Sequence, residues 1–371
     1  MFDQQKKNLI DRITKGFNQD KQLKTLSFEN GLRVLSKIYG VAVSIRIWLY
    51  RKQFLKQKSL PCMVISIGNI SVGGTGKTPM AIYIAAMIKS LGKKPVVVSR
   101  GYKGKYSGDT MIVSDGERIF ADAQTAGDEP YMMALRRLFP VIVGKDRYLS
   151  GCKAIDMFNP DVILLDDGFQ HLRLKRDIDF VLLDSEKPFG NTIMLPAGPL
   201  REPVDQINKR GDVLIFTRFD EDTVNMNQMK ITSLKRPALM KFTSFYKPFI
   251  YFQKEKSGAF AYSSMKDLKG KTAVMFSGLA RNDTFYKTMT QCSVNVLAHL
   301  EFPDHYWYKA SDIFIINQSA QKKKADMILT TEKDWVKFDP HTEWDTHFIV
   351  IGIDIQFHDP DSLKAYLRSA F

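Results

Sequence analysis

The sequence predicts an α/β protein: a parallel sheet covered by helices on both faces, followed by a smaller C-terminal α/β unit. Three observations predict it. Short apolar runs rich in β-branched residues recur between stretches of helical periodicity, as strands buried on both faces require. A glycine-rich turn separates the first of these runs from a helical pattern. Near residue 241 the pattern changes to aromatic-rich alternation, and a second strand and helix series follows it.

Taken in order, residues 1–27 are rich in Lys, Gln, Asn and Asp and read as a polar, solvated extension. Residues 28–55 contain an amphipathic helix centred on 32–50. Arg33, Lys37 and Arg46 make that segment a poor membrane-spanning helix. At about 100° per residue, Arg33, Lys37, Ser44 and Arg51 fall within roughly 40° of one another and leave a broad apolar surface, with Trp48 near its basic end. Two readings stand side by side: a helix lying in a membrane interface, or one packed on a core. Arg46 interrupts the apolar face in both.

Residues 56–240 form the larger unit. After the strand near 62–68 come a helix at 77–91 and strands at 96–99, 141–143, 162–165, 180–183 and 213–216, with helices at 129–138 and 147–158 between them. Ligand sites in such sheets lie at the carboxyl ends of the strands. Residues 241–265 read as an extended connection between domains, punctuated by Pro248 and Gly258. The smaller unit, 266–371, carries strands at 272–276, 294–300, 327–329 and 348–353 and helices at 282–291 and 311–324. At 371 residues the chain is long for one core, and its 44% hydrophobic content suffices for two.

Charge narrows the partners. Lys and Arg exceed Asp and Glu by enough to give +14, which favours a phosphorylated substrate, an acidic membrane surface or nucleic acid. The aromatics are not interleaved with basic residues as a nucleic-acid surface needs, and there is no Asn-Lys-x-Asp base-reading signal of a GTPase. Cys62, Cys152 and Cys292 are widely spaced, without a C-x-x-C pair, which fits a reducing compartment and argues against a zinc site. Residues 1–30 lack a signal-peptide pattern, so a protein that is not exported is expected.

The glycine-rich turn is a phosphate-binding loop, so the sheet is expected to be P-loop NTPase-like. In Ser71-Val72-Gly73-Gly74-Thr75-Gly76-Lys77-Thr78, the glycines let backbone N–H groups wrap phosphate oxygens. Lys77 can reach the β- and γ-phosphates, Thr78 can ligate Mg²⁺, and the helix that opens at Lys77 adds its positive end. The usual pattern has glycine where this chain has Ser71. Further on, an apolar run delivers Asp166 and Asp167 at its carboxyl end, where a Mg²⁺-positioning carboxylate belongs. Neighbouring side chains on a strand point oppositely, so one of the two is expected to face the metal.

These motifs, with Asp166-Asp-Gly-Phe-Gln-His171, Leu195-Pro-Ala-Gly-Pro-Leu-Arg-Glu-Pro203, Arg100-Gly-Tyr102 and Thr331-Glu-Lys-Asp-Trp-Val-Lys337, resemble the tetraacyldisaccharide 4'-kinase family from about Phe28 to the C-terminus. The resemblance implies transfer of the ATP γ-phosphate to the 4'-hydroxyl of a tetraacyldisaccharide-1-phosphate, a lipid A precursor, at the cytoplasmic face of the bacterial inner membrane. A substrate with four acyl chains stays in the bilayer, so residues 32–50 would dock on its anionic surface. ATP and Mg²⁺ are the implied cofactors, and neither nucleic acid nor an obligate protein partner is expected.

The resemblance also implies roles for residues. Residues 71–78 would cradle ATP, and Thr78, Asp166, Asp167 and Glu202 would surround the metal. Asp128 would be the general base, oriented by His305, an arrangement that brings the second domain over the first. Arg201 would offset charge near the γ-phosphate. Tyr102, Arg147 and His171 would lie around the lipid head group or nucleotide. Read without the resemblance, Asp128 is a helix N-cap ahead of Pro130, and His305 is a loop histidine.

Overall fold

The computed structural model describes residues 28–219, 239–254, 262, 264–339 and 341–371. The polar extension 1–27 and the part of the expected connection around Gly258 lie outside them.

The central element is β1 (Met63–Gly68), an apolar strand buried after its first residue. It lies between β5 (Val162–Asp166) and β6 (Ile178–Asp184), parallel to both. Beyond β5 come β2 (Pro95–Ser99), β4 (Val141–Val143) and the antiparallel edge strand β3 (Met111–Ser114). Beyond β6 comes β7 (Val213–Thr217), again parallel. Register sets the site: Ile67 pairs with Asp166 and Ser99 with Val143, so the carboxyl ends of β1, β5, β2 and β4 finish together.

The stretch read as extended connecting strands forms one long sheet strand, β8 (Met240–Lys254). Its first residues pair parallel with β7, and the remainder pairs antiparallel with β12 (His347–Phe357). Parallel strands β11 (Met327–Thr331), β9 (Thr272–Ser277) and β10 (Asn295–Glu301) complete the other half. Twelve described strands therefore form one sheet, in the order β10-β9-β11-β12-β8-β7-β6-β1-β5-β2-β4-β3.

Helices cover the sheet: α2 (Lys77–Ser90), α3 (Ala123–Ala126), α4 (Asp128–Leu135), α5 (Arg147–Phe158) and α6 (Asp205–Arg210) in the first half, then α7 (Asn282–Gln291), α8 (Ala310–Lys322), α9 (Glu332–Trp335) and α10 (Pro360–Ala370). Asp359 caps α10 by accepting from Ser362 N, with Pro360 at its first position. The helix returns to the first half: Leu363 and Leu367, fully buried, join a core containing Phe180 and Val213. Each such leucine contributes about 1.5–3 kcal/mol of transfer free energy, so the C-terminal helix fastens the halves together.

Helix α1 (Phe28–Arg51) is different. Its only buried residue is Ser36, while Val34, Leu35, Ile38, Val41, Ile45 and Trp48 are each about half exposed. One narrow seam holds it: Ser36 Oγ accepts from Ala197 N, Tyr39 Oη donates to Arg201 O, and Arg46 donates to Gln170 O. Arg46, which spoils the apolar face on a helical projection, belongs to that seam and points away from the apolar surface. No helix among the described residues is long and apolar enough to cross a membrane.

Candidate active site

Where β1 ends, Gly68 is required: a Cβ there would stand 2.6 Å from that of Phe169 in the turn after β5. The chain then runs extended through Ser71, which bridges Leu200, and Val72 N donates to Pro199 O at 2.8 Å. Ser71 is thus buried beneath the loop. From Val72 onward the loop does line the cavity. Asn69 donates to Thr75 Oγ1 at 2.9 Å and fixes the loop from below. Gly76 sits at φ 78, and a Cβ on it would fall 1.9 Å from the Tyr246 hydroxyl of β8, so only glycine serves. Helix α2 starts at the next residue with no acidic side chain in its first turn, leaving its free N–H groups and dipole for an anion.

The loop forms one wall of a cavity of about 1240 Å³ lined by both halves of the sheet. On the neighbouring strand end, Asp166 and Asp167 diverge. Asp166 is buried, accepts from Ser99 Oγ at 3.3 Å, and has its other oxygen buried without a hydrogen-bond partner. Burial, with the nearby charges of Glu129 and Asp167, pushes its pKa up to about 7. Asp167 leaves the strand at φ 54 and turns to cations: both oxygens accept from Arg201 at 2.9 Å, and Lys77 Nζ is 3.8 Å away. Burial opposes its charge, but Lys77 and Arg201 outweigh that and hold the carboxyl below its usual range.

Across the cavity, His305 Nδ1 lies 2.7 Å from Asp128 Oδ2, although 177 residues separate them in sequence. Asp128 is the first residue of α4, not its cap, and its Oδ1 accepts from Glu129 N at 3.0 Å. A carboxylate only accepts, so the hydrogen of this bond is on Nδ1. Lys337, fully buried, stands 3.8 Å from Asp128. Burial works against the Asp128 charge, yet the bond to His305 and the lysines Lys333 and Lys337 keep its pKa below the ordinary value. The ring of Tyr102 meets His305 edge-on at 5.3 Å between centroids.

A family model described as tetraacyldisaccharide-1-P 4'-kinase matches residues 28–371. The chain belongs to this family. A tetraacyldisaccharide 4'-kinase of Desulfatibacillum aliphaticivorans is 39% identical over 91% of this chain and 91% of that protein, and one of Syntrophus aciditrophicus is 38% identical over 83% and 84%. Among solved structures, the crystal structure of the "apo" form of LpxK from Aquifex aeolicus in complex with ATP superposes with a TM-score of 0.70 at 31% identity, covering 93% of this chain and all of that one.

Other residues expected in this kinase site are placed as follows. Arg201 lines the cavity and spans Asp167 and Gln170 Oε1. Arg147, largely buried, donates to the carbonyls of Gly144 and Lys145 and reaches the cavity with its edge. His171 is driven to a pKa of about 4 by burial and then by Arg147. Glu202 lines the same cavity, is 2% exposed and is paired with Arg210.

Several site residues were not assigned from sequence. Arg218, which follows β7, donates to Gly74 O and to Asp184, and Arg281 of the other half reaches Asp184 and Glu186. Lys333 sits beside His305, and Glu332 pairs with Arg136 at 2.7 Å. The Thr331–Lys337 motif stands out in the sequence, but no role can be read for its charges until the fold shows what faces them.

Proposed function

We propose that this family member transfers the γ-phosphate of ATP to the 4'-hydroxyl of a tetraacyldisaccharide-1-phosphate, the reaction that gives lipid IVA in lipid A biosynthesis. One observation supports the chemistry above all: the 2.7 Å bond between Asp128 and His305 at a cavity whose opposite wall is a phosphate loop. The acceptor oxygen attacks the γ-phosphorus, its bond to the β–γ bridging oxygen breaks, and the hydroxyl proton passes to the dyad. Lys77 and the N-terminus of α2 hold the triphosphate. Arg201, tied to Asp167, is positioned to offset charge on the transferring group.

Mg²⁺ fits the residues present. The unpartnered Asp166 oxygen and the buried Thr78 hydroxyl line the same cavity, and a raised carboxylate pKa is what a cation would relieve. Asp167, already committed to Arg201 and Lys77, serves indirectly. A bound ion held by Asp166 and Thr78 would supply charge neutralisation at the transferring phosphate.

The exposed apolar side of α1 and the +14 charge support docking on an anionic membrane surface at the cytoplasmic face of the inner membrane, where such a lipid is presented. The test is incubation of the protein with γ-labelled ATP, Mg²⁺ and detergent-dispersed tetraacyldisaccharide-1-phosphate. Label should appear in the lipid at the 4'-position. Label released only as inorganic phosphate would refute the reading.

A further inference from the structure

We propose that Lys333 is a positioning residue of the phosphoryl-transfer centre, fixing the imidazole of His305 with its hydrogen toward Asp128 and tying together the segments that carry the dyad. The proposal rests on the kinase reading above. It stands on the contacts of one ammonium group at the cavity wall. Lys333 Nζ lies 3.0 Å from Asp304 Oδ1, 3.3 Å from Glu129 Oε1 and 3.4 Å from His305 Nε2. Lysine can only donate, so the imidazole nitrogen facing it must accept. The Asp304 carboxylate also faces Nε2, but its Oδ2 stands at 3.6 Å, too far for a hydrogen bond, so the lysine contact sets Nε2 as the acceptor and the hydrogen on Nδ1 goes to Asp128.

The same ammonium joins two chain segments far apart in sequence. Glu129 follows Asp128 at the start of α4, whereas Asp304 precedes His305 in the loop after β10. His305 itself sits at φ 60, in the left-handed region that non-glycine residues adopt uncommonly. Bridging Glu129 and Asp304 sets the spacing at which the 2.7 Å bond forms. The contact to Nε2 is the longest of the three and is the one an acceptor hydroxyl can replace while the two carboxylates keep Lys333 in place.

Charge acts in the same direction. The groups facing His305 are Asp128, Asp304, Lys333 and the Tyr102 ring, and those facing Asp128 are His305, Lys337 and Lys333. Removing one positive charge from this set makes the dyad easier to protonate. The acid limb of the activity profile then moves to higher pH.

Lys333→Met and Lys333→Arg test this through the pH dependence of kcat/KM for lipid phosphorylation. Lys333→Met should lose about tenfold to a hundredfold at neutral pH, with the loss shrinking toward about pH 9 as the shifted limb is passed. Lys333→Arg should restore the limb and most of the rate. A uniform loss with an unmoved limb, or an arginine variant no better than methionine, would overturn the proposal. Should Lys333→Met not fold, ¹⁵N spectra of His305 in the wild-type protein decide: Nδ1 protonated and Nε2 bare is expected, and the opposite tautomer overturns the assignment. A wild-type protein that transfers no phosphate would remove the kinase reading and this role with it. Normal wild-type transfer with an unmoved limb removes the role of Lys333 alone.

Discussion

At the scale of single residues, adjacent carboxylates do different work because the backbone turns between them. Asp166 ends β5 with a buried, half-satisfied carboxyl, and Asp167, one residue on, is neutralised by two cations. Glu332 shows the same sensitivity to place. Burial, and secondarily the Asp354 charge, push its pKa up to about 7 despite the 2.7 Å pairing with Arg136. The folded protein therefore binds this proton more tightly than the unfolded chain does. Stability from Glu332 is complete below its ordinary pKa of 4.5 and is lost as pH rises through about 7. Glu332→Gln removes that dependence. Whatever constant cost the substitution carries, its Tm relative to wild type should improve between about pH 5 and about pH 8. A difference that stays flat across that interval would show that Glu332 ionises normally.

At the scale of elements, α1 is a helix with a seam on one side and exposed apolar residues on the other. Replacing Val34, Ile38, Val41 and Ile45 with serine should cut binding to anionic vesicles at least about tenfold, since each loses part of its transfer free energy, while leaving ATP binding and helix content intact. Vesicle binding equal to wild type would end the proposed docking role. Sequence alone left α1 between two readings, because periodicity shows that a face is apolar and not what covers it. Strands were easier to read: the β-branched runs of β1, β2, β5, β6 and β7 announce themselves wherever a strand is buried on both faces. The short edge strand β3 and helix α10 gave no comparable signal, the first for its four residues and partial exposure, the second for its largely polar sequence. Strand β8 was legible as extended connecting structure from its aromatic alternation, but not as one strand shared by both halves of the sheet, because pairing partners are long-range.

At the scale of the whole molecule, the site exists because two halves of one sheet face each other. Asp128 and Glu129 come from the first half, and His305, Lys333 and Lys337 from the second. Arg136 with Glu332, Arg281 with Asp184, and the buried leucines of α10 hold that juxtaposition. Motifs made Asp128 and His305 legible as candidates, but their contact is long-range, and so are the lysines behind it. No local pattern encodes those neighbours. The central claim is that Asp128 and His305 act as one proton-accepting unit. A double-mutant cycle in single-turnover transfer tests it most directly, using Asp128→Asn, His305→Ala and the pair, each checked for retained ATP binding. Each single change should cost about 10²–10⁴-fold, and the double change little more than the worse single. Losses that multiply across the cycle, or near-normal transfer by Asp128→Asn, would contradict the claim.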